Sequence, residues 1–183
     1  MSMLCLLKEI SDSDIHCLIE NPKRVELLLN NGEYFANENQ SFFQKLFSRK
    51  KHETKIDSWK PVLNSKECDI DKTWDILHHL LTNGADDLFP LNFIGAGGVE
   101  IGEDYGYGPI RVMNSDEVFQ LNTLLVAIIP QTLRERFSDP SFVREGIYPD
   151  FESWEEAGLS WVIEAYEELK IFIEHLSNSK TGL

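Results

Sequence analysis

Apolar positions along this chain fall into short bounded runs and one long stripe, and each pattern predicts an element. Met3 to Leu7 is an apolar run closed by Lys8, which reads as a buried strand. Ser11-Asp-Ser-Asp14 then offers N-caps for a helix through Ile15, Leu18 and Ile19. Asn21-Pro22 restarts a second helical segment from Val25 to Leu29, with Asn30-Asn31-Gly32 as its stop. From Glu33 to Glu67 the periodicity weakens, and only Phe42, Phe43, Leu46 and Phe47 hold an amphipathic spacing. Ile70, Trp74, Leu77 and Leu81 recur at helical steps, which predicts a helix over 69–83 capped by Asp69 or Asp71 and ended by Asn83-Gly84.

Beyond it, Phe89–Ile94 and Pro109–Met113 read as strands around a loop, Gly95–Gly108, rich in glycine. Asn114-Ser-Asp-Glu117 has the form of a capping box opening a helix from Asp116 to about Ile129. Pro130 starts another short helix carrying Leu133 and Phe137; Asp139-Pro140 breaks it, and Tyr148-Pro149 closes the region. In the last element, Trp154 to Leu176, the residues Gly158, Trp161, Ala165, Leu169, Phe172 and Leu176 form one stripe, with Glu164, Glu167, Glu168 and Glu174 off it. Few strands among more numerous helices predict an α/β fold: a single compact domain over 1–183, a small mixed sheet flanked by helices in a three-layer-like arrangement, and a long C-terminal amphipathic helix.

Composition narrows the function classes. No run among the 183 residues approaches the roughly 18–20 apolar residues a membrane helix needs. The opening ten residues are too short for a secretory h-region, and Cys5, Cys17 and Cys68 are odd in number and at no metal-ligand spacing, so a reduced, cytoplasmic chain is expected, with no metal and no cofactor. With 31 acidic against 17 basic residues, the formal charge of −14 opposes nucleic-acid binding. The charge is uneven. Residues 1–72 hold 11 basic and 12 acidic side chains, and 73–183 hold 6 basic and 19 acidic, a net of −1 against −13. Such a field either keeps the protein soluble or draws a basic partner to the C-terminal side. The basic run Arg49–Lys55 reads as a solvated loop, or as a contact for an anionic surface.

Several residues carry candidate chemistry. At about 100° per residue, His79 falls opposite the apolar stripe of the 69–83 helix, while His78 falls at its edge beside Asp71, Asp75 and Thr82. An imidazole with a carboxylate one turn away can be held as a general base, or can simply be a satisfied half-buried group. Gly95-Ala-Gly-Gly-Val-Glu-Ile-Gly102 lacks the dinucleotide fingerprint, because Glu100 stands where a glycine is required and Glu103 and Asp104 repel phosphate. Tyr105-Gly-Tyr-Gly-Pro-Ile-Arg111 presents Tyr105, Tyr107 and a guanidinium within a few residues. Arg111 has no other basic residue between Lys72 and Arg134, so it either pairs internally or recognises an anionic group. No GxSxG elbow supports a serine nucleophile, and adjacent His16 and Cys17 point apart on a helix.

Asp71-Lys-Thr-Trp-Asp-Ile-Leu-His-His-Leu-Leu-Thr82 resembles the DKxWDxxHxLLTG signature of the YfbM-like family of uncharacterised bacterial proteins, domain of unknown function family 1877. Gly97-Gly98, Tyr107-Gly-Pro-Ile-Arg111, Leu133-Arg-Glu-Arg-Phe137 and Ile147-Tyr-Pro149 match in the same order. The likeness is good over 69–183, weaker at the amino-terminal strand and helix, and leaves 33–68 as a divergent or inserted surface segment; Asn83 takes the place of the family's glycine. The resemblance implies a sheet between helices, and it singles out Trp74, Asp75, His78, Thr82, Tyr107, Arg111 and Tyr148 as cleft residues or internal fasteners. Two functions are therefore expected to compete. One is a non-catalytic acidic module engaging a basic protein partner, in its sharpest form an immunity protein that masks a toxin. The other is a small-molecule enzyme or ligand binder using a cleft around His78, Asp75, Tyr107 and Arg111, with Trp74, Thr82, Tyr105 and Tyr148 as further contacts.

Overall fold

The computed structural model describes residues 3–29, 59–60, 65–85, 87–104, 108–142, 146–149 and 156–183. Strand β1 (Cys5–Lys8) leads through the N-cap of Ser11, whose hydroxyl accepts from Asp14 N–H, into helix α1 (Asp12–Glu20). A single 3-10 turn at Pro22–Arg24 joins it to α2 (Val25–Leu29). Strand β2 (Glu67–Asp71) precedes α3 (Trp74–Thr82), and the pair β3 (Val99–Ile101) and β4 (Ile110–Val112) precedes α4 (Ser115–Ala127), α5 (Pro130–Ser138) and α6 (Glu156–Ser179). The Phe42–Phe47 pattern, the Arg49–Lys55 run and most of 33–68 lie outside the described residues; Glu67 and Cys68 belong to β2.

Both strand pairs are antiparallel: β1 with β2, and β3 with β4. What joins them is the stretch after α6. Ile10 and Gly182 exchange backbone hydrogen bonds at 3.1 and 2.7 Å, and Met113 and Leu183 exchange theirs at 2.8 and 2.9 Å. Thr181–Leu183 thus lies as a short central strand, giving the order β2, β1, tail, β4, β3. Gly182 suits that place because a Cβ there would stand 2.4 Å from Met113 O and 2.5 Å from Ile15 Cδ1.

Alternation along these strands sends side chains to two different cores. Leu7, Cys68, Ile70 and Met113 face a large core built with α3, α4, α5 and α6. Ile10, Ile101 and Val112 face a smaller one with Ile15, Leu18 and Val25 of α1 and α2. The arrangement is three layers with the sheet in the middle, and α6 is its longest element. Among the described residues no helix is long and apolar enough to cross a membrane.

Two expected elements differ. Residues 69–71 are strand, not the first turn of a helix: Glu-Cys-Asp-Ile alternates exposed and buried, and this period of two prevails over the helical spacing of Ile70. Helix α3 opens at Trp74, after Thr73, whose hydroxyl donates to Ile70 O at 2.6 Å. It ends, as the sequence implies, at a left-handed Asn83 (φ 53°). Phe89–Ile94 is a series of turns, not a strand, with Asn92 N–H bonding Leu88 O and Phe93 N–H bonding Pro90 O. Pro90 has no N–H to give a ladder, and the Asn92 carbonyl instead accepts from Gly95, Ala96 and Gly97.

The later helices follow their signals. Asn114 and Glu117 complete the capping box in both directions at 3.0 and 2.9 Å. The buried face of α6 is broader than one stripe, because Leu159, Val162, Ile163, Tyr166 and Ile173 join Ala165, Leu169, Phe172 and Leu176, while Gly158 and Trp161 are half-buried. Glu164, Glu167, Glu168 and Glu174 are exposed.

Candidate functional site

Helix α3 carries half of the candidate residues, and the structure sorts them by face. Asp75 accepts from Tyr148 N–H at 2.7 Å, and its other oxygen lies 3.4 Å from His79 Nδ1. The carboxylate therefore sits with His79, one full turn on, rather than with His78 as the seam reading has it. Asp71 belongs to β2 and cannot extend such a seam along the helix. Trp74 stacks on Tyr148 with centroids 6.2 Å apart, and Tyr148 Oη accepts from Met3 N–H at 3.2 Å. Trp74, Asp75 and Tyr148 thus fasten α3 to the amino terminus.

His78 is 6% exposed and meets His79 edge-on, with ring centroids 5.4 Å apart. Gly95 lies against its ring so closely that a Cβ would come within 2.9 Å of Cε1. Thr82 is buried and donates its hydroxyl to the His78 carbonyl at 2.9 Å, a bond inside the helix. At the far end of α3, Arg136 of α5 donates to Leu80 O at 2.5 Å and Leu81 O at 3.0 Å, placing a cation on the helix C-terminus.

Arg111 stands on β4. Its Nη1 donates to Ala96 O at 2.7 Å, and its Nη2 is paired with Glu100 across the β3–β4 ladder. Here the glycines serve close packing: a Cβ on Gly97 would lie 2.7 Å from Asn92 Oδ1, and one on Gly98 2.5 Å from Val112 O. Tyr105 and Tyr107 lie outside the described residues.

A cleft of about 550 Å³ opens between β1 and β4. Trp74 and Arg111 line it, whereas His78 and Asp75 are not among the described lining residues. Its floor and banks come from residues that sequence reasoning passed over: Leu6 and Lys8 of β1, Leu28 and Leu29 of α2, Phe93 and Ile94 from the turn series, Ile110, and Leu183. No local pattern marks them, because the pairing of Thr181–Leu183 with Ile10 and Met113 that frames the cleft is set by register across the sheet.

The thiols of Cys5 and Cys68 are held protonated. Burial, with Asp69 and Cys68 nearby, pushes Cys5 up to about 12, and burial with Glu168 and Asp69 pushes Cys68 up to about 11. Neither serves as a nucleophile near neutral pH. Among the described residues no group of three His, Cys, Asp or Glu side chains is placed to hold a metal ion.

A family model described as a domain of unknown function (DUF1877) matches residues 1–183. No curated protein matches the chain. The fold is similar to the crystal structure of a protein of unknown function, YfbM from Escherichia coli, with a TM-score of 0.63 and 19% identity over 98% of this chain and 96% of that one.

Proposed function

The chain belongs to the DUF1877 family, and from that premise we propose that it is a non-catalytic binding module that engages a basic protein partner through the outer face of α6. One observation carries this reading. Glu164, Glu167, Glu168, Ile171 and Glu174 share one exposed arc of the helix, and Ile171 at its centre is 69% exposed. None of the four carboxylates holds an ion pair among the described residues. The helix's own cation is turned away, since Lys170 Nζ donates to Ile128 O at 3.2 Å. An apolar centre ringed by uncompensated like charge suits a cationic partner: charge steers the encounter, and the apolar anchor supplies affinity once water is excluded.

In its sharpest form the partner is a basic toxin that the module masks in a bacterial cell. The alternative, small-molecule chemistry at His78 and Asp75, draws less support, because the Asp75 carboxylate accepts from Tyr148 N–H and lies on the His79 side of the helix.

The test is capture of partners by the full chain, followed by affinity measured against salt. A stoichiometric basic protein is expected, with affinity falling steeply between 50 and 200 mM salt (roughly the range in which such charge effects are screened). Glu167→Lys with Glu168→Lys should slow association at least tenfold with the fold intact. Binding indifferent to both salt and charge reversal would sink the proposal. For the immunity form, the captured protein expressed alone should arrest growth, and co-expression of this chain should restore it.

A further inference from the structure

The cleft between β1 and β4 has the geometry of a missing strand. Both backbone groups of Ile10 bond Gly182, whereas Glu9 N–H bonds Lys66 O on the β2 side. Antiparallel edges alternate in this way, so the N–H and C=O of Lys8 and Leu6 point to the same side as those of Ile10, into the cleft. On the opposite bank Met113 exchanges both bonds with Leu183. By the same alternation Arg111 turns its N–H and C=O, and Pro109 its C=O, toward the cleft, while Val112 and Ile110 face β3. Among the described residues no backbone hydrogen bond joins β1 to β4 across the gap.

The direction of the tail completes the geometry. Because Ile10 and Gly182 pair antiparallel, the tail runs from Thr181 past Leu183 toward the Lys8 end of β1, and the cleft lies straight ahead of it. The four residues of β1 give it a length of about 13 Å at the rise of a strand. Apolar walls cover both faces: Trp74, Phe93 and Ile94 on the side of α3, and Leu6, Leu28 and Leu29 on the side of α2. The charged side chains at its edges are held back as ion pairs, Lys8 with Glu67 and Arg111 with Glu100.

We propose that this slot receives an extended segment of a partner polypeptide, about four residues long with apolar side chains, which completes the sheet by strand addition. Two facing ranks of backbone donors and acceptors at strand spacing match a peptide backbone; the apolar walls select the side chains that alternate above and below it. The proposal goes beyond the acidic face of α6 and stands independently of it, since the slot lies between the two strand pairs and uses none of the α6 carboxylates.

The experiment selects random hexapeptides by display against the full chain and synthesises the enriched sequence. In the free protein, amide exchange at Leu6, Lys8 and Arg111 should be faster than at Ile10 and Met113. Adding the peptide should slow exchange at those three amides at least tenfold. Methylating alternate peptide nitrogens on one edge should weaken binding at least tenfold, since it removes backbone donors and keeps every side chain. Leu6→Arg, at a position 57% exposed, should weaken binding similarly with an unchanged unfolding midpoint. Three results would overturn the proposal: selection that yields no peptide sensitive to Leu6→Arg, binding that survives methylation on either edge (an apolar cavity for small molecules), or free-state protection at Leu6, Lys8 and Arg111 equal to that at Ile10.

Discussion

The two faces of the sheet are built on different terms. On one, four helices close over Leu77, Leu121, Leu133, Leu169 and other residues that are fully buried. On the other, α1 and the five-residue α2 cover a much smaller apolar set, and Leu29 beside it is left largely exposed. The thick face has its stability spread over many apolar contacts. The cleft runs between the two faces, walled by Trp74, Phe93 and Ile94 on the thick side and by Leu28 and Leu29 on the thin side, and the continuity of the sheet beside it rests on a three-residue tail. A fold divided like this can vary its binding edge while the packed side holds its shape.

The comparison makes quantitative demands, beginning with the cores. Leu169→Ala on α6 should cost toward the upper end of the range of about 2–5 kcal/mol for such truncations, because packed layers around it cannot collapse into the void. Leu18→Ala on α1, equally buried, should fall toward the lower end, since a short thin layer can relax. Urea unfolding of the two variants decides it, and equal losses would remove the distinction between the faces. Next comes Gly182→Ala. Its Cβ would be driven into Met113 O and Ile15 Cδ1, so a loss of about 1–3 kcal/mol is expected. Amide exchange should accelerate at Ile10 and Met113, whose partners are Gly182 and Leu183, with little change on α4.

A smaller effect probes how the thick face is tied together. Tyr166 is fully buried and its hydroxyl donates to Leu125 O at 3.1 Å and Ile128 O at 2.8 Å, where α4 ends. Burial raises its pKa far above the ordinary tyrosine value, so the phenol stays a donor across the working pH range. Tyr166→Phe should cost about 1 kcal/mol, the usual net worth of such a bond. A loss no greater than that of an exposed control would mean that water replaces the hydroxyl and that α4 and α6 are held by apolar contact alone.

These sites also show what the residues told in advance. Three of the four helices of the thick face were legible from a chemical boundary, the Asn114–Glu117 box, Pro130 at the start of α5 and Asn83 at the end of α3, and α6 from its apolar stripe. The layered plan was legible from the balance of strands and helices, and the acidic outer side of α6 from the glutamates that lie off its stripe. The partnership of Asp75 was not. A carboxylate on a helix reaches both i+3 and i+4, and only the return of the chain at Tyr148 decides between them. The cleft was equally hidden, because β1 and β4 are far apart in sequence and their alignment depends on a tail whose central residue is a glycine. Local periodicity reports elements, while a site assembled across the sheet is a property of register.

The smallest effect falls on the residue that anchors that tail from the side. Glu9 Oε1 accepts from Thr181 Oγ1 at 3.1 Å and lies 3.5 Å from His175 Nε2, and Oε2 accepts from Lys66 N–H at 3.2 Å. Burial works against the charge, but the bonds from Lys66, Thr181 and His175 together outweigh it and hold the carboxyl below its ordinary 4.5. A folded pKa below the unfolded one adds stability that is complete above the unfolded value and disappears as pH falls through the folded value. The contribution should therefore be constant near neutrality and decline below about pH 4.5. Comparing unfolding midpoints of the native chain and Glu9→Gln from pH 7 to pH 3 isolates it, since the variant lacks this proton uptake and the two curves should converge in acid. Because Thr181 adjoins Gly182, the same descent should lower the protection of Ile10, measured against the intrinsic exchange rate at each pH, before it lowers that of α4. Simultaneous loosening of both regions would show that the tail and the thick face open as one cooperative unit, and the division drawn between the two sides of the sheet would be one of shape without a matching difference in stability.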